Sequence, residues 1–429
     1  MTSARYVIIG NSAAAIGAVT AIREVDREGS MVLIAREPEH TYSRPLISYL
    51  LAGKVNEERM FYRGKDFYKK NGVETLLGVE IAGIDETAHA VRTADGRNIG
   101  FEKLLIATGG TPVVPKDLTG TNAKGVFTFT TWEDARKIKA YIEQSQVKRA
   151  VVVGGGLIGL KAVEALVKLH ISTVVVELAD RILSATFDKT ASDMAAKYLG
   201  KSGVDVRCSN TVTQIKSQDE RVASVLLRDG SKLDCELLIF AIGVAPDVRL
   251  ARGTHIACER GILADECMQT SVPGIYAAGD VVQAADLLSG KTRPIPILPN
   301  AFRQGCVAGA NMAGRKALYK GGLAMNAVDI CGLPTISVGT TVPEGDDYEV
   351  LSKLDENAGV YKKIVLKDNR IVGVIFVGQI DRAGIATGLI RGKVDVSGFK
   401  NLLMNDDFGI ISLPVEYRKH VVSGMGIEV

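Results

Sequence analysis

One pattern occurs twice in this chain. Val7-Ile8-Ile9-Gly10-Asn11-Ser12-Ala13-Ala14-Ala15 is a short apolar run opening into small residues. Val151-Val152-Val153-Gly154-Gly155-Gly156-Leu157-Ile158-Gly159 is another. Each is followed by an Asp-Gly turn and a second apolar run: Asp95-Gly96 leads to residues 104–109, and Asp229-Gly230 leads to residues 237–243. An apolar strand that breaks at a glycine and continues as a helix is the opening of a dinucleotide-binding unit. Two such units in one polypeptide imply two dinucleotides, and hence electron transfer from one to the other.

At 429 residues the chain should hold two to three domains. Its net charge of +3 comes from scattered basic residues, which gives no nucleic-acid footprint. No apolar run approaches the length of a membrane span. Residues 1–22 have the outline of a secretory leader, but Gly10, Ser12 and Ala15 fall at dinucleotide-loop spacing and the chain runs straight on to a second strand. The six cysteines (Cys208, Cys235, Cys258, Cys267, Cys306, Cys331) show neither metal-ligand spacing nor a CxxC pair. They read as buried free thiols in a reducing cytoplasm, and no metal site is expected.

The order of elements predicts an α/β fold. Residues 5–9 form a strand, Ala13–Val25 a helix and Met31–Ala35 the next strand, as in a parallel, buried sheet. Residues 73–106 turn to strand and hairpin signals. A helix over Trp132–Ser145 links the two units, and Trp132 reads as packing rather than a platform for a cofactor ring. From about residue 322 the chain becomes short β-rich runs (362–366 and 371–377, with a turn at Asp368-Asn369), which predicts a separate C-terminal α+β domain.

The second loop completes GxGxxG with Gly154, Gly156 and Gly159, enclosing Leu157 and Ile158. The first glycine makes the tight turn, the second admits a pyrophosphate, and the third lets helix and strand approach. The helix behind it presents unpaired backbone N–H groups to the phosphates. Glu177, at the end of the next strand, can accept hydrogen bonds from ribose hydroxyls and would repel a 2′-phosphate, which favours NADH over NADPH. A plain glycine-rich helix turn is the blander alternative, and the ordered strand, loop, helix, strand and acid argue against it. The first loop is degenerate: Gly10 is kept, with Ser12 and Ala15 in the other glycine positions and Ala13 and Ala14 between. Glu37 lies where it could meet an adenosine ribose, the alternative being an exposed loop acid.

These motifs resemble the FAD-dependent pyridine nucleotide–disulfide oxidoreductase superfamily. The chain looks closest to the branch of NADH:rubredoxin reductases, ferredoxin reductases and nitrite reductase flavin domains. The resemblance covers residues 5–320 and, more weakly, the tail. It implies two Rossmann-like domains of the glutathione reductase type, for FAD and NAD(P), plus a C-terminal domain. The FAD domain would be split over 1–118 and 250–321, with the NAD(P) domain at 119–249 and an interface domain at 322–429 that often forms homodimers. It further implies that the loop from Gly10 and the strand end Ala107-Thr108-Gly109 hold FAD. Gly279-Asp280 would place an acid on the ribityl chain and phosphates, and Arg44-Pro45, in Tyr42-Ser43-Arg44-Pro45-Leu46, would lie along the flavin. Gly243, ending the corresponding strand of the second unit, joins the cofactor-binding set.

Three departures matter. No cysteine precedes Cys208, so the thiolate that disulfide, peroxide or coenzyme A-disulfide reduction requires is missing. A C-terminal motif carrying a general-acid histidine is also missing, and His420 reads as a surface residue. Many relatives pair a Lys, shortly after the segment at Arg44-Pro45, with a Glu near the flavin; here those positions are Tyr49 and Lys161. An ammonium near a helix N-terminus is electrostatically unfavourable, which argues for a compensating role. Lys161 is therefore the candidate catalytic residue, stabilising the reduced flavin or approaching the nicotinamide; the alternative is a solvent-facing lysine beside Glu164.

The expected activity is hydride transfer from NADH to FAD, a step that needs orientation more than acid–base groups. The chain holds no cysteine set for an iron–sulfur cluster. Its electrons should pass to a separate small carrier such as rubredoxin or a ferredoxin. An NADH oxidase using oxygen and a non-catalytic redox-sensing flavoprotein are the alternatives.

Overall fold

The computed structural model describes residues 2–415 and 417–418; His420 lies outside them. The chain divides into two compact units. The first comprises Met1–Val113, Thr130–Arg136 and Gly243–Gly322. The second comprises Val114–Phe129, Lys137–Ile242 and Leu323–Val429. The breaks at Val113 and Gly243 differ from the expected 118 and 250, and the C-terminal segment groups with the second unit.

In the first unit, strands Val73–Leu77, Met31–Ala35, Thr2–Ile9 and Asn98–Ile106 lie parallel in that order. Met31–Ala35 is buried along its whole length, as a strand covered on both faces must be. Ile275–Ala277 joins parallel to Leu104–Ile106, so three strands end together at Ile9, Ile106 and Ala277. Gly10, Ala107 and Gly279-Asp280 follow those ends. The hairpin Ile81–Asp85 and Ala90–Thr93 completes the sheet in antiparallel fashion, and Ala90–Thr93 turns through Asp95-Gly96 into Asn98–Ile106.

Helix Ala13–Val25 packs on this sheet and against helix Leu298–Met312 almost without side chains between them. A β-carbon at Gly305 would sit 1.9 Å from the Ala14 carbonyl oxygen, and one at Gly309 would sit 2.5 Å from that of Ala18. Small residues at these spacings let the two backbones meet. Ile8, Ile16, Ile22, Leu33 and Ile34 are fully buried beneath, each worth about 1.5–3 kcal/mol of apolar burial.

In the second unit the same plan recurs. Strands Asp205–Arg207, Ser172–Val176, Arg149–Val153, Leu237–Phe240 and Val126–Thr128 are parallel in that order. Helices Leu157–Lys168 and Lys189–Lys201 accompany them. An antiparallel three-stranded sheet spans Val212–Asp234, its last hairpin turning at Asp229-Gly230. The C-terminal part is an antiparallel sheet ordered Met325–Ile330, Leu333–Gly339, Arg370–Val377, Val360–Lys367 and Glu349–Asp355, with helix Ala383–Gly392. Its turn at Asp368-Asn369 has both residues left-handed, with φ of 50° and 54°, the geometry a two-residue hairpin loop requires.

All six cysteines are free, yet the expectation of burial holds only for Cys235. Cys258 is exposed, and the other four thiols are half-buried. Among the described residues no helix is long and apolar enough to cross a membrane, and no cluster of His, Cys, Asp and Glu could hold a metal ion.

Candidate cofactor sites

The first site is built where three strands of the first unit end. Gly10 has φ of +119°, and a β-carbon there would lie 2.1 Å from the Ala107 carbonyl oxygen; only glycine fits. Ser12 caps helix Ala13–Val25 without a side-chain hydrogen bond, and the first turn holds no acidic residue. The N–H groups of Ala13, Ala14 and Ala15 therefore start a helix whose positive end is available to phosphate. Asn11 fixes the loop from the side: its Nδ2 donates to the Glu39 carbonyl at 3.0 Å, and its Oδ1 accepts the Tyr68 hydroxyl.

Gly279-Asp280 meets the same helix end. The Gly279 N–H donates to Gln304 Oε1 at 2.8 Å, and a β-carbon on Gly279 would touch Ala14 at 3.2 Å. Burial pushes the Asp280 carboxyl up, opposed by the charge of Arg44. Thr108 Oγ1 donates to the Asp247 carbonyl at 2.9 Å, and the Asp247 N–H donates to the Gly109 carbonyl at 2.9 Å, which pins the strand end.

Glu37 is not a free loop acid. Its carboxylate accepts the Tyr42 hydroxyl at 2.5 Å and the Arg44 guanidinium, and Arg44 also donates to the Thr130 carbonyl at 3.0 Å. Arg44 begins a short turn of 3-10 helix, Arg44–Leu46, in which Pro45 is exposed and Arg44 and Leu46 are half-buried. Trp132 is buried, its backbone N–H donating to the Tyr42 hydroxyl at 3.1 Å and its ring meeting Tyr42, Phe61 and the Arg136 guanidinium. Glu39 Oε2, His40 Nε2 and Trp132 Nε1 are buried without a hydrogen-bond partner among the described residues. The free helix end and the glycine that no other residue can replace fit the pyrophosphate of a dinucleotide.

The second site repeats this geometry more strictly. Gly154 has φ of +112°, and a β-carbon there would lie 2.4 Å from the Ala241 carbonyl oxygen. One on Gly159 would lie 1.9 Å from the Gly154 carbonyl oxygen, so helix and loop are in contact. A β-carbon at Gly156, by contrast, would face open space at the start of helix Leu157–Lys168. That space, in front of free N–H groups, fits a pyrophosphate. Ile158 is exposed beside it, and Leu157 is half-buried. Glu177 is held by two backbone donors, Gly155 at 2.6 Å and Ala179 at 2.8 Å. Gly243, which falls in the first unit, has φ of +123° and accepts the Val113 N–H at 3.0 Å.

Lys161 donates to Glu164 Oε2 at 2.5 Å and to the Asp329 carbonyl at 2.8 Å. Tyr49 is exposed, with the Lys54 ammonium over its ring. Asn11 and Gln304 are parts of the first site to which the sequence reading assigned no role. Each is signalled only by partners 25 to 57 residues away in sequence.

A family model described as pyridine nucleotide-disulphide oxidoreductase matches residues 4–305. The chain belongs to this family. A second model, the rubredoxin NAD+ reductase C-terminal domain, matches residues 325–394. The chain is 33% identical over 401 residues to the NADH-dependent phenylglyoxylate dehydrogenase subunit epsilon of Aromatoleum evansii, covering 92% of this chain and 94% of that one. It is 33% identical over 324 residues to the NADH oxidase of Methanocaldococcus jannaschii, covering 73% and 71%. Among solved structures it is similar to putidaredoxin reductase in its covalent complex with putidaredoxin, with a TM-score of 0.86 and 25% identity over 98% of this chain and 99% of that one. This family member is an FAD-dependent NAD(P)H oxidoreductase with FAD and NAD(H) as cofactors, in the α/β fold of its relatives with a C-terminal sheet domain.

Proposed function

We propose that the enzyme takes electrons from NADH through FAD to a small iron–sulfur carrier protein of the rubredoxin or ferredoxin type. FAD would be held by the first site: the Gly10–Ala15 loop, Glu37, Arg44-Pro45, Ala107–Gly109 and Gly279-Asp280. NADH would be held by the Gly154–Gly159 loop and Glu177. Bound FAD supplies acceptance of a hydride and release of electrons one at a time.

The protein's own contribution is binding and orientation. Helix Ala13–Val25 and helix Leu157–Lys168 each direct backbone N–H groups at a pyrophosphate. Arg44 keeps positive charge beside Glu37 and near Asp280. Glu177, fixed by Gly155 and Ala179, selects a ribose with free hydroxyls.

One observation carries the choice of acceptor: no cysteine occurs before Cys208. Without a thiol in the segment that follows Glu37, electrons have no protein disulfide to pass through and must leave the flavin directly. The match to the rubredoxin reductase C-terminal domain and the likeness to putidaredoxin reductase support a protein carrier as recipient. The similarity to an NADH oxidase supports oxygen as the second reading. The free cysteines accord with a reducing cytoplasmic setting. Anaerobic reduction tests the donor side: NADH should bleach the flavin absorbance faster than NADPH at equal concentration. Equal or faster bleaching with NADPH would overturn the role of Glu177.

A further inference from the structure

Within the second unit, polar contacts hold the C-terminal sheet to the elements around the candidate NAD loop in two places. At the first, the turn between Met325–Ile330 and Leu333–Gly339 is gripped by helix Leu157–Lys168. Glu164 Oε1 accepts the Cys331 N–H at 2.7 Å, while Lys161 donates to Glu164 Oε2 and to the Asp329 carbonyl. Asp329 closes the turn by accepting the Gly332 N–H at 2.8 Å. The side chains of Lys161 and Glu164 are 22% and 17% exposed, so this is a partly dry contact. Helix Leu157–Lys168 begins at Gly156, the position with open space for a pyrophosphate.

At the second point, Asp188 caps helix Lys189–Lys201 by accepting the Ala191 N–H at 3.1 Å. Its other oxygen accepts the Tyr361 hydroxyl at 2.7 Å and the Lys363 ammonium at 2.9 Å, both from strand Val360–Lys367. Lys363 is buried, at 7% exposure, so the pair is shielded from water. The loop that runs from Glu177 to Asp188 turns back over the glycine loop, where the Leu183 N–H donates to the Gly155 carbonyl at 2.9 Å. Leu183 holds a left-handed φ of 54°, a strained setting for a branched residue that surrounding contacts must maintain. Further along, Ser192 Oγ ties helix Lys189–Lys201 to the Ile182 carbonyl at 2.8 Å.

We propose that Lys161, Glu164, Asp188, Tyr361 and Lys363 are positioning residues through which the C-terminal sheet sets the affinity of the Gly154–Gly159 loop for NAD(H). The inference rests on the reading of that loop as the NAD site. Helix Leu157–Lys168 aims the phosphate-binding N–H groups, and the 178–187 loop fixes Gly155 and Glu177. Both are braced from outside by the same sheet. The unfavourable charge of Lys161 near a helix N-terminus is offset by Glu164 and the Asp329 carbonyl. Lys161 thus acts through the attachment, not at the reacting ring.

The test titrates NAD+ into FAD-loaded full-length enzyme by calorimetry, a readout independent of electron transfer. K363M should weaken NAD+ binding about fivefold or more, while FAD content and the limiting rate of flavin reduction at saturating NADH stay near wild type. E164Q should weaken it from the other attachment, and K363R should restore most of the affinity. K161M should likewise weaken NAD+ binding with the flavin reduction potential unchanged. Unchanged NAD+ affinity in K363M and E164Q, with only a lower melting temperature, would overturn the proposal, as would a shifted flavin potential in K161M at unchanged affinity. A wild-type enzyme that binds NAD+ but is not reduced by NADH would instead sink the proposed reaction, and the affinity comparison would still decide this inference.

Discussion

Glu177 accepts the Gly155 N–H at 2.6 Å, so the acid that would meet the ribose and the loop that would meet the pyrophosphate are fixed to each other. Its carboxylate cannot swing away from a 2′-phosphate without losing that bond and the one to Ala179. E177A should therefore reduce the preference for NADH over NADPH about tenfold, through both lost ribose contacts and lost repulsion. The ratio of kcat/KM for the two donors measures it; an unchanged ratio would remove Glu177 from recognition.

G10A should yield protein that folds poorly or purifies without flavin. The new methyl group would meet the Ala107 carbonyl oxygen in a backbone conformation that alanine avoids, costing about 1–3 kcal/mol from strain before any clash. The ratio of flavin to protein absorbance after purification checks this. G156A, whose β-carbon would face open space, should leave FAD bound and impair only the response to NADH.

R44M should weaken FAD binding roughly tenfold or more. It strips the partly buried Glu37 carboxylate of its guanidinium partner and leaves Asp280 without the positive charge that opposes its burial. Reconstitution of apoprotein with FAD, followed by flavin fluorescence, gives the affinity. R44K should recover only part of it, because one ammonium cannot serve both Glu37 and the Thr130 carbonyl in the same geometry.

Acid should loosen the first unit at a definite point. The Asp26 carboxyl is held at about 2, below its ordinary 3.8, chiefly by the Gly29 N–H and next by the Tyr6 hydroxyl. A depressed carboxyl contributes stability above its unfolded value, and this is lost as pH falls from about 4 towards 2. D26N should cost about 1–2 kcal/mol at neutral pH and flatten the loss between those values, as read by denaturant melts at several pH values.

What the sequence reveals and what it hides divide along a physical line. Helix Ala13–Val25, strand Met31–Ala35 and helix Trp132–Ser145 were legible to the residue, because local apolar periodicity and small-residue breaks define them. Glycine spacing also marked the two strand-to-helix turns, where Gly10 and Gly154 adopt positive φ and a β-carbon would meet the Ala107 or Ala241 carbonyl oxygen. The partners of Glu37 were not legible, since nothing in an acid near Tyr42 and Arg44 says which hydrogen bonds will form. Nor was the attachment of Asp188 to Tyr361, which joins residues 173 apart in sequence. Thiol burial was not legible either: Cys235 is buried, Cys258 is exposed and the other four thiols are half-buried.

The most direct test of the central claim is NADH consumption by the purified, FAD-loaded enzyme in air, with and without an oxidised small iron–sulfur protein. Rubredoxins and two-iron ferredoxins serve as the panel of carriers. A carrier reductase should turn over slowly with oxygen alone, and its rate should rise by orders of magnitude when a suitable carrier is added. Fast turnover with oxygen and no stimulation by any carrier would contradict that role, and would identify the enzyme as an oxidase.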